Sequence, residues 1–499
     1  MLCSKTPLSV LLSLFLLAAL LPGAAHSVPF VETHAGQAFL PRAEAQMALD
    51  EQLASWQAFD LSLDAVERQV RSDGRLALAL GGQQFDLELE PVDLLRAGFR
   101  AVEVVEGGRE LEVAPPTGTY RGTLVGQPDS EVRLLVLPDL LQGFVKTDDE
   151  WFFIDPLVKF DPEAPSNQVV LFREDDVHAG ARGLCGSAAL DATHALEVAT
   201  EEMRAGSSAH LVTTAFEADI ALEADFEYQQ RFGSQTISQM AGIINQVLGL
   251  TSPELGVGFG ITFMRSWTIS NDPYSSNDSQ TLLFQFRDEW NSNPPTFSHD
   301  VAHLFTGRNL AGSVIGRAFL RVICASPSSS YGLSQNHALM VQLVAHELGH
   351  NLGASHDDQV QPPASSCNGT GTIMCSQIQG GHLSRYSDRS KSDVTQFIDG
   401  NSCMVPTPPW RPLSISITSE RCRGLHTVSW RATGGTTRYE LERSTSSSFS
   451  NTTRVYSGPR TDYFGSQAGY YYQVRSCNAL GCGAFRRSST KSTYHSGCQ

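Results

Sequence analysis

His346-Glu347-Leu348-Gly349-His350-Asn351-Leu352-Gly353-Ala354-Ser355-His356-Asp357 is the stretch that decides how the chain reads. It follows the apolar run Leu339-Met340-Val341-Gln342-Leu343-Val344-Ala345, and on a helix two residues four apart lie on one face, a turn from each other. The imidazoles of His346 and His350 can then reach one ion. Glu347 points into the same cleft without binding the metal, where a carboxylate can take a proton from zinc-bound water. Gly353 lets the backbone leave the helix through a left-handed conformation, so that His356 returns as a third imidazole from outside it. Three protein ligands and one open position are what a catalytic zinc ion takes. Two histidines flanking such a glutamate are an ordinary amphipathic helix about as often as a metal site. The third histidine, three residues past a helix-stopping glycine, decides for the metal.

The pattern His-Glu-x-x-His-x-x-Gly-x-x-His followed by a methionine turn is the metzincin signature, and Gly371-Thr372-Ile373-Met374-Cys375 supplies a candidate turn. The chain resembles that clan of metalloproteases, in which Met374 is a packing support beneath the ligands. Asp357, directly after the third histidine, is similar to the adamalysin or reprolysin branch, which includes snake-venom metalloproteinases and the ADAM sheddases. Ser376 stands two residues after Met374 in place of a tyrosine, which disfavours the astacin-like and serralysin-like branches. Upstream, His299 to Thr306 and Gly316 to Cys324 resemble the strand and edge-strand region of the adamalysins.

The resemblance implies an α/β catalytic domain over 205–405, with a mixed sheet and a cleft between a larger and a smaller half. A peptide substrate would lie antiparallel to the edge strand carrying Ile315, Gly316, Arg317 and Ala318, with a pocket wall around Gly380 to Tyr386. It also implies the disulfides Cys324–Cys403 and Cys367–Cys375, and a calcium site remote from the zinc that would use Asp219 and Asp300. Pro406, three residues after Cys403, offers such a site no side-chain donor. Along this domain Val212 to Phe226 and Gly256 to Ile269 read as strands, and Gln235 to Leu248 has helical spacing.

At 499 residues the chain suggests about three domains. Its formal charge of -17 is uneven. Residues 208–405 carry 9 Lys+Arg against 17 Asp+Glu, a balance of -8, and 406–499 carry 12 against 4, a balance of +8. An acidic protease half argues against nucleic acid as a partner. The basic tail admits an anionic surface or polysaccharide as partner, but a solvated face is the simpler reading. Lys5, the apolar run Leu8 to Leu21 and the small residues around Ala25 and Ser27 read as a secretory signal peptide over 1–27. No later stretch approaches a membrane span. The expected location is therefore extracellular, where disulfides form.

Of the ten cysteines, Cys3 leaves with the signal and Cys185 lies well before the catalytic domain. Eight remain, and the sequence alone leaves on the order of a hundred pairings open. In the tail Cys477 and Cys482 flank a four-residue loop, and Cys422 with Cys498 can tie its ends. Residues 28–204 alternate in short runs, at Phe85 to Glu90, Tyr120 to Val125, Glu131 to Val136 and Gly143 to Lys146, which indicates an antiparallel β domain. With Trp151 to Leu157 it resembles an ADAM propeptide. Cys185, in Arg182-Gly183-Leu184-Cys185-Gly186, then resembles the cysteine switch, a thiolate in the fourth position of the zinc that keeps a precursor latent.

Residues 406–411 are a proline-rich linker. The runs Leu413 to Ile417, His426 to Trp430, Arg438 to Arg443 and Tyr470 to Arg475 suit a β-sandwich over 412–499, similar to a fibronectin type III module. The expected whole is a secreted, latent zinc endopeptidase acting on extracellular proteins or peptides. The alternative is an inert adhesion or matrix-binding protein. Inert relatives usually lack the glutamate or a histidine, and here all four positions are filled.

Overall fold

The computed structural model describes residues 32–147, 150–178, 183–186, 215–360, 363, 367, 371–378, 385–399, 403–412, 414–419, 425–488 and 490–493. The signal-like segment 1–27, Arg182, Cys422 and Cys498 lie outside them.

The first unit is a ten-stranded sheet. Its order is Thr33–Ala35, Arg75–Leu80, Gln83–Pro91, Thr119–Leu124, Gln127–Leu137, Leu140–Lys146, Trp151–Pro156, Gln168–Arg173, Gln57–Asp60 and Gln37–Phe39. The two end strands are consecutive in sequence and meet at Gly36. A Cβ there would lie 2.6 Å from Leu80 Cδ2 and 2.9 Å from Phe59 Cβ, so only glycine lets the sheet curl back on itself. In Gln83–Pro91 the side chains of Phe85, Leu87 and Leu89 go inward while Gln84, Asp86 and Glu88 face solvent, as a strand with one wet face requires. Two helices, Ala43–Gln52 and Leu63–Asp73, accompany this sheet. They add to the β-rich unit expected for 28–204; the second carries its buried Val66, Glu67 and Val70 on one face.

The second sheet runs Gln377–Ile378, Gly183–Cys185, Val314–Ala318, Tyr331–Gln335, Val301–Thr306, Ala215–Ala224, Val257–Trp267, Leu95–Val105 and Arg109–Glu112. It is mixed, as expected, but two pieces of the N-terminal region belong to it. Leu95–Val105 pairs in parallel with Val257–Trp267, and Gly183–Cys185 pairs in parallel with Val314–Ala318. The described part of 28–204 therefore contributes strands to both sheets.

Between the two sheets lies the helix Thr236–Leu255, longer than the expected 235–248 and buried on nearly every side. An apolar helix of this kind belongs in a core. Gly242 and Gly249 let it approach the first sheet, since a Cβ would meet Leu135 Cδ2 at 2.9 Å and Phe144 Cζ at 3.0 Å respectively. Asn245 Nδ2 donates across the same contact to Tyr120 O at 2.9 Å and Leu134 O at 3.1 Å. On the other side it packs against the helix Met340–Asn351. One continuous core joins Phe144, Phe153 and Phe172 of the first unit to Met240, Ile244, Leu343 and Leu348.

In the tail, Ile415–Ser419, His426–Trp430 and Asp462–Gly465 form one sheet. Thr453–Gly458, Arg438–Ser444, Tyr471–Asn478, Gly481–Cys482 and Arg486–Arg487 form another. Ile415, Val428 and Trp430 of the first share a core with Tyr439, Leu441, Tyr472 and Val474 of the second. The linker departs from expectation. Val405–Thr407 is a strand paired antiparallel with Ala215–Glu217, and a Cβ on Gly434 would lie 2.4 Å from Gly256 N. The tail is thus fastened to the second sheet and to the end of the helix Thr236–Leu255. Proline is tolerated at 406 because this short strand sits at the margin of the sheet. The disulfides Cys324–Cys403, Cys367–Cys375 and Cys477–Cys482 are formed. Among the described residues no helix is long and apolar enough to cross a membrane.

Candidate metal centre

The helix Met340–Asn351 carries His346, Glu347 and His350, all wholly buried. Gly353 takes a φ of 104°, and the chain turns back there to bring in His356, 1% exposed. The three Nε2 atoms converge. His350 lies 3.0 Å from both His346 and His356, and the latter two are 3.3 Å apart.

Each ring's other nitrogen is engaged elsewhere. His346 Nδ1 bonds Ile373 O at 2.6 Å, His350 Nδ1 bonds Ala354 O at 2.7 Å, and His356 Nδ1 pairs with Gln359 Oε1 at 2.9 Å. The carbonyl oxygens can only accept, so those Nδ1 atoms carry the hydrogens, and the facing Nε2 atoms of the neutral rings are bare lone pairs. Burial holds the rings neutral. It pushes His346 down to about 3, with the charge of His356 adding to the effect, takes His350 further down, and lowers His356. Three lone pairs at this separation repel unless a cation sits among them.

Cys185 Sγ stands at the fourth corner, 3.4 Å from His350 Nε2 and 3.5 Å from Glu347 Oε2. The four ligand atoms all lie within 4.8 Å of one another. A tetrahedral zinc ion with ordinary bond lengths separates its nitrogen ligands by about 3.3 Å, and nitrogen from sulfur by about 3.6 Å. The donor set and its spacing fit zinc.

Cys185 arrives on a strand seated in the cleft. Leu184 N donates to Ser313 O at 2.7 Å, Cys185 N to Ser376 O at 3.0 Å and Gly186 N to Gly316 O at 2.9 Å. The expected edge strand, with Ile315, Gly316, Arg317 and Ala318, is present as Val314–Ala318. Its cleft-side partner here is Gly183–Cys185, running parallel to it. Gly183 and Gly186 are needed for that seat, since a Cβ would meet Ile315 Cδ1 at 2.1 Å and Arg317 Nη2 at 2.4 Å. At Gly316 a Cβ would lie 2.4 Å from Glu347 Oε1, so the backbone of the edge strand abuts the glutamate.

Support comes from below. Met374 is wholly buried, and a Cβ on Gly349 would meet its Sδ at 2.5 Å. Asp357, 1% exposed, lies outside the cluster of four ligand atoms. Its carboxylate accepts from Thr372 Oγ1, from Ser387 Oγ at 2.6 Å and from Ser390 Oγ at 2.8 Å. Thr372, Gln359, Ser387 and Ser390 are positioning residues that sequence reasoning missed. No spacing rule marks them, although a small hydroxyl residue beside a buried carboxylate is a signal once the fold is known. Of the expected pocket wall 380–386, residues 380–384 lie outside the described ones. Tyr386 is not a lining residue, because it is 1% exposed and its hydroxyl donates to Ala345 O at 2.8 Å.

Asp219 and Asp300 are adjacent, remote from the histidines. Asp219 N donates to Asp300 Oδ2, and Asp300 N to Asp219 O, both at 2.7 Å. The positive charge beside them is an arginine. Arg96 Nε donates to Asp219 Oδ1 and its Nη1 to Glu217 Oε2, each at 2.7 Å.

The reprolysin-type profile of metallopeptidase family M12 matches residues 216–390. A snake venom metalloproteinase, TM-1 of Protobothrops mucrosquamatus, is 32% identical over 174 residues, covering 33% of this chain and 82% of that protein. The matched span contains the three histidines, the glutamate and the methionine turn but neither Cys185 nor the tail. The chain belongs to the M12 metallopeptidases, in the reprolysin or adamalysin branch of the metzincins.

Proposed function

We propose that the protein is a secreted zinc endopeptidase of extracellular proteins or peptides, made as a latent precursor. The observation that carries this reading is the convergence of three bare imidazole nitrogens with a thiol at the fourth corner and a carboxylate beside it. His346, His350 and His356 would hold the ion, and a bound zinc supplies Lewis acidity toward a peptide carbonyl and acidifies water. Glu347 Oε2, on the side where Cys185 now lies, takes the proton from the attacking water and passes it to the leaving amine. The backbone of Val314–Ala318 aligns the substrate by strand pairing, antiparallel to it. Asp357 and Met374 hold the ligand frame without touching the reacting atoms.

Latency follows from the same geometry. Residues 183–186 use the hydrogen-bonding edge that a substrate needs, and the Cys185 thiol excludes water from the fourth position. Residues 28–204 are on this reading a propeptide, and removal of the chain up to roughly 190 to 207 opens the cleft. The tail is a fibronectin type III-like module, supported by its two sheets of three and five strands over a shared core. We assign it no chemistry.

The test is hydrolysis of a quenched fluorescent peptide by the uncleaved full chain. Cys185→Ala should release activity that wild type lacks, and adding Glu347→Ala should abolish it while zinc stays bound at one per chain. A Cys185→Ala precursor as silent as wild type would remove the switch. Turnover by the Glu347→Ala form would remove the base.

A further inference from the structure

The tail, the first sheet and the C-terminal end of the helix Thr236–Leu255 meet around a cavity of about 20 Å³, lined chiefly by Arg121, Arg133, Arg411, Arg486, Glu131 and Trp410. That is room enough for a monatomic ion. The charge there does not balance. Glu131 accepts from Arg133 Nε at 2.6 Å, and Glu90, just behind, accepts from Arg411 Nη1 at 2.8 Å and from Arg121. Four guanidinium groups thus face three carboxylates, Glu131, Glu90 and Glu88, all already engaged, the last with Arg75. Arg133 is 2% exposed, and its Nη1 has no hydrogen-bond partner. The Arg486 side chain lines the same space with no ion pair among the described residues. A buried cation without compensation is expensive, and the usual remedy is a counter-charge.

We propose that this cavity binds a single halide-sized anion, chloride, between Arg133 Nη1 and the guanidinium of Arg486. Chloride is the simplest anion that meets both the space and the charge, and a neutral water would leave the excess charge in place. The other residues fit. Burial, reinforced by the charge of Arg121, brings Arg411 down to about 10, and burial lowers Arg133 and Arg486 as well. Arg121 and Arg133 come from before the protease in the chain, Arg411 and Arg486 from after it. An anion here therefore ties the tail to the first unit. Overall charge agrees, since residues 1–207 hold 32 Asp+Glu against 15 Lys+Arg while the tail carries an excess of 8 positive charges. The site is independent of the chemistry at the histidines.

The experiment uses the intact, uncleaved chain. Thermal unfolding is followed at fixed ionic strength while sodium chloride replaces sodium gluconate, whose anion cannot enter. Chloride should raise Tm by about 2–4 °C with single-site saturation. Arg486→Gln, a change at a half-buried strand position, should lose that increment. Crystals grown in bromide supply a readout that needs no variant, with one anomalous peak expected beside Arg133 Nη1. Equal Tm in the two salts, an unchanged chloride increment in Arg486→Gln, or bromide-grown crystals with no peak at the site would each overturn the proposal.

Discussion

Gly316→Ala tests the placement of the glutamate without touching any metal ligand. A Cβ at 316 would stand 2.4 Å from Glu347 Oε1 and 2.7 Å from Leu343 Cδ1, where ordinary contact begins at 3.4 Å. The carboxylate must give way by about 1 Å, because Leu343 is wholly buried and the strand is paired with Tyr331–Gln335 on its other side. Displacing a catalytic group by about 1 Å costs roughly 100-fold in rate, which corresponds to about 2.7 kcal/mol. Overpacking adds about 1–3 kcal/mol of destabilisation. The assay compares kcat and KM of the cleaved forms of Gly316→Ala and wild type on one fluorogenic peptide, with zinc content measured in parallel. The expected result is a kcat lower by about two orders of magnitude at unchanged zinc. Full kcat in the variant would mean that Glu347 either does not sit against this strand during turnover or is not the base.

Removing the metal from the uncleaved chain with a chelator should lower Tm, and zinc should restore it, because the three lone pairs would then face one another with no cation between them; an unchanged Tm would contradict that electrostatic reading. Asp357→Ala strips three buried hydroxyls of their acceptor and should cost about 3–5 kcal/mol in denaturant unfolding, each charged hydrogen bond contributing about 1.5–3 kcal/mol less relaxation; a loss under 1 kcal/mol would show that the hydroxyls re-pair locally. Asp225, wholly buried and accepting from Tyr228 N and Gly307 N, is pushed by burial from its ordinary 3.8 to about 7. Its folded form holds a proton that the unfolded chain has released, so its contribution is complete below about 3.8 and is lost as pH rises through about 7. Asp225→Asn should therefore flatten the decline in stability between about pH 4 and pH 7 by roughly 1.4 kcal/mol per unit; parallel profiles for variant and wild type would refute the shift.

The clustering of the three histidines with Glu347 and Cys185 was legible because its rules are local. A helical period places His346 and His350, one glycine turns the chain, and an odd cysteine in a glycine-flanked segment asks for a partner. The strands of the first unit were legible for the same reason, since Phe85, Leu87 and Leu89 alternate with polar neighbours. What escaped was long-range. Nothing in Leu95–Val105 says that its neighbour is Val257–Trp267, more than 150 residues on, because sheet pairing leaves no mark on either partner alone. The wholly buried Glu223 escaped likewise. It accepts from Arg265 at 2.8 Å and Trp267 at 2.5 Å on one neighbouring strand and from Tyr274 at 2.6 Å beyond that strand's end, all more than 40 residues away in sequence. The helix Ser279–Ser292 was readable in principle. Asp278 caps it by accepting from Thr281 N at 2.9 Å, and Leu282, Leu283, Phe286 and Trp290 form its buried stripe. In Thr236–Leu255 the proline at 253 masked the true end, which Gly256 sets with a φ of 70°.

The strand Leu95–Val105 has a kinetic consequence. Scission of the polypeptide between 187 and 214 breaks one covalent link and none of the hydrogen bonds joining 95–105 to 257–267, nor the contacts of Asn245 with Tyr120 and Leu134. The severed N-terminal piece begins as a non-covalent subunit with a buried interface. On the proposed latency, onset of activity would be governed by how fast that subunit departs, and a chain nicked yet undiluted would stay quiet longer than one nicked and dispersed.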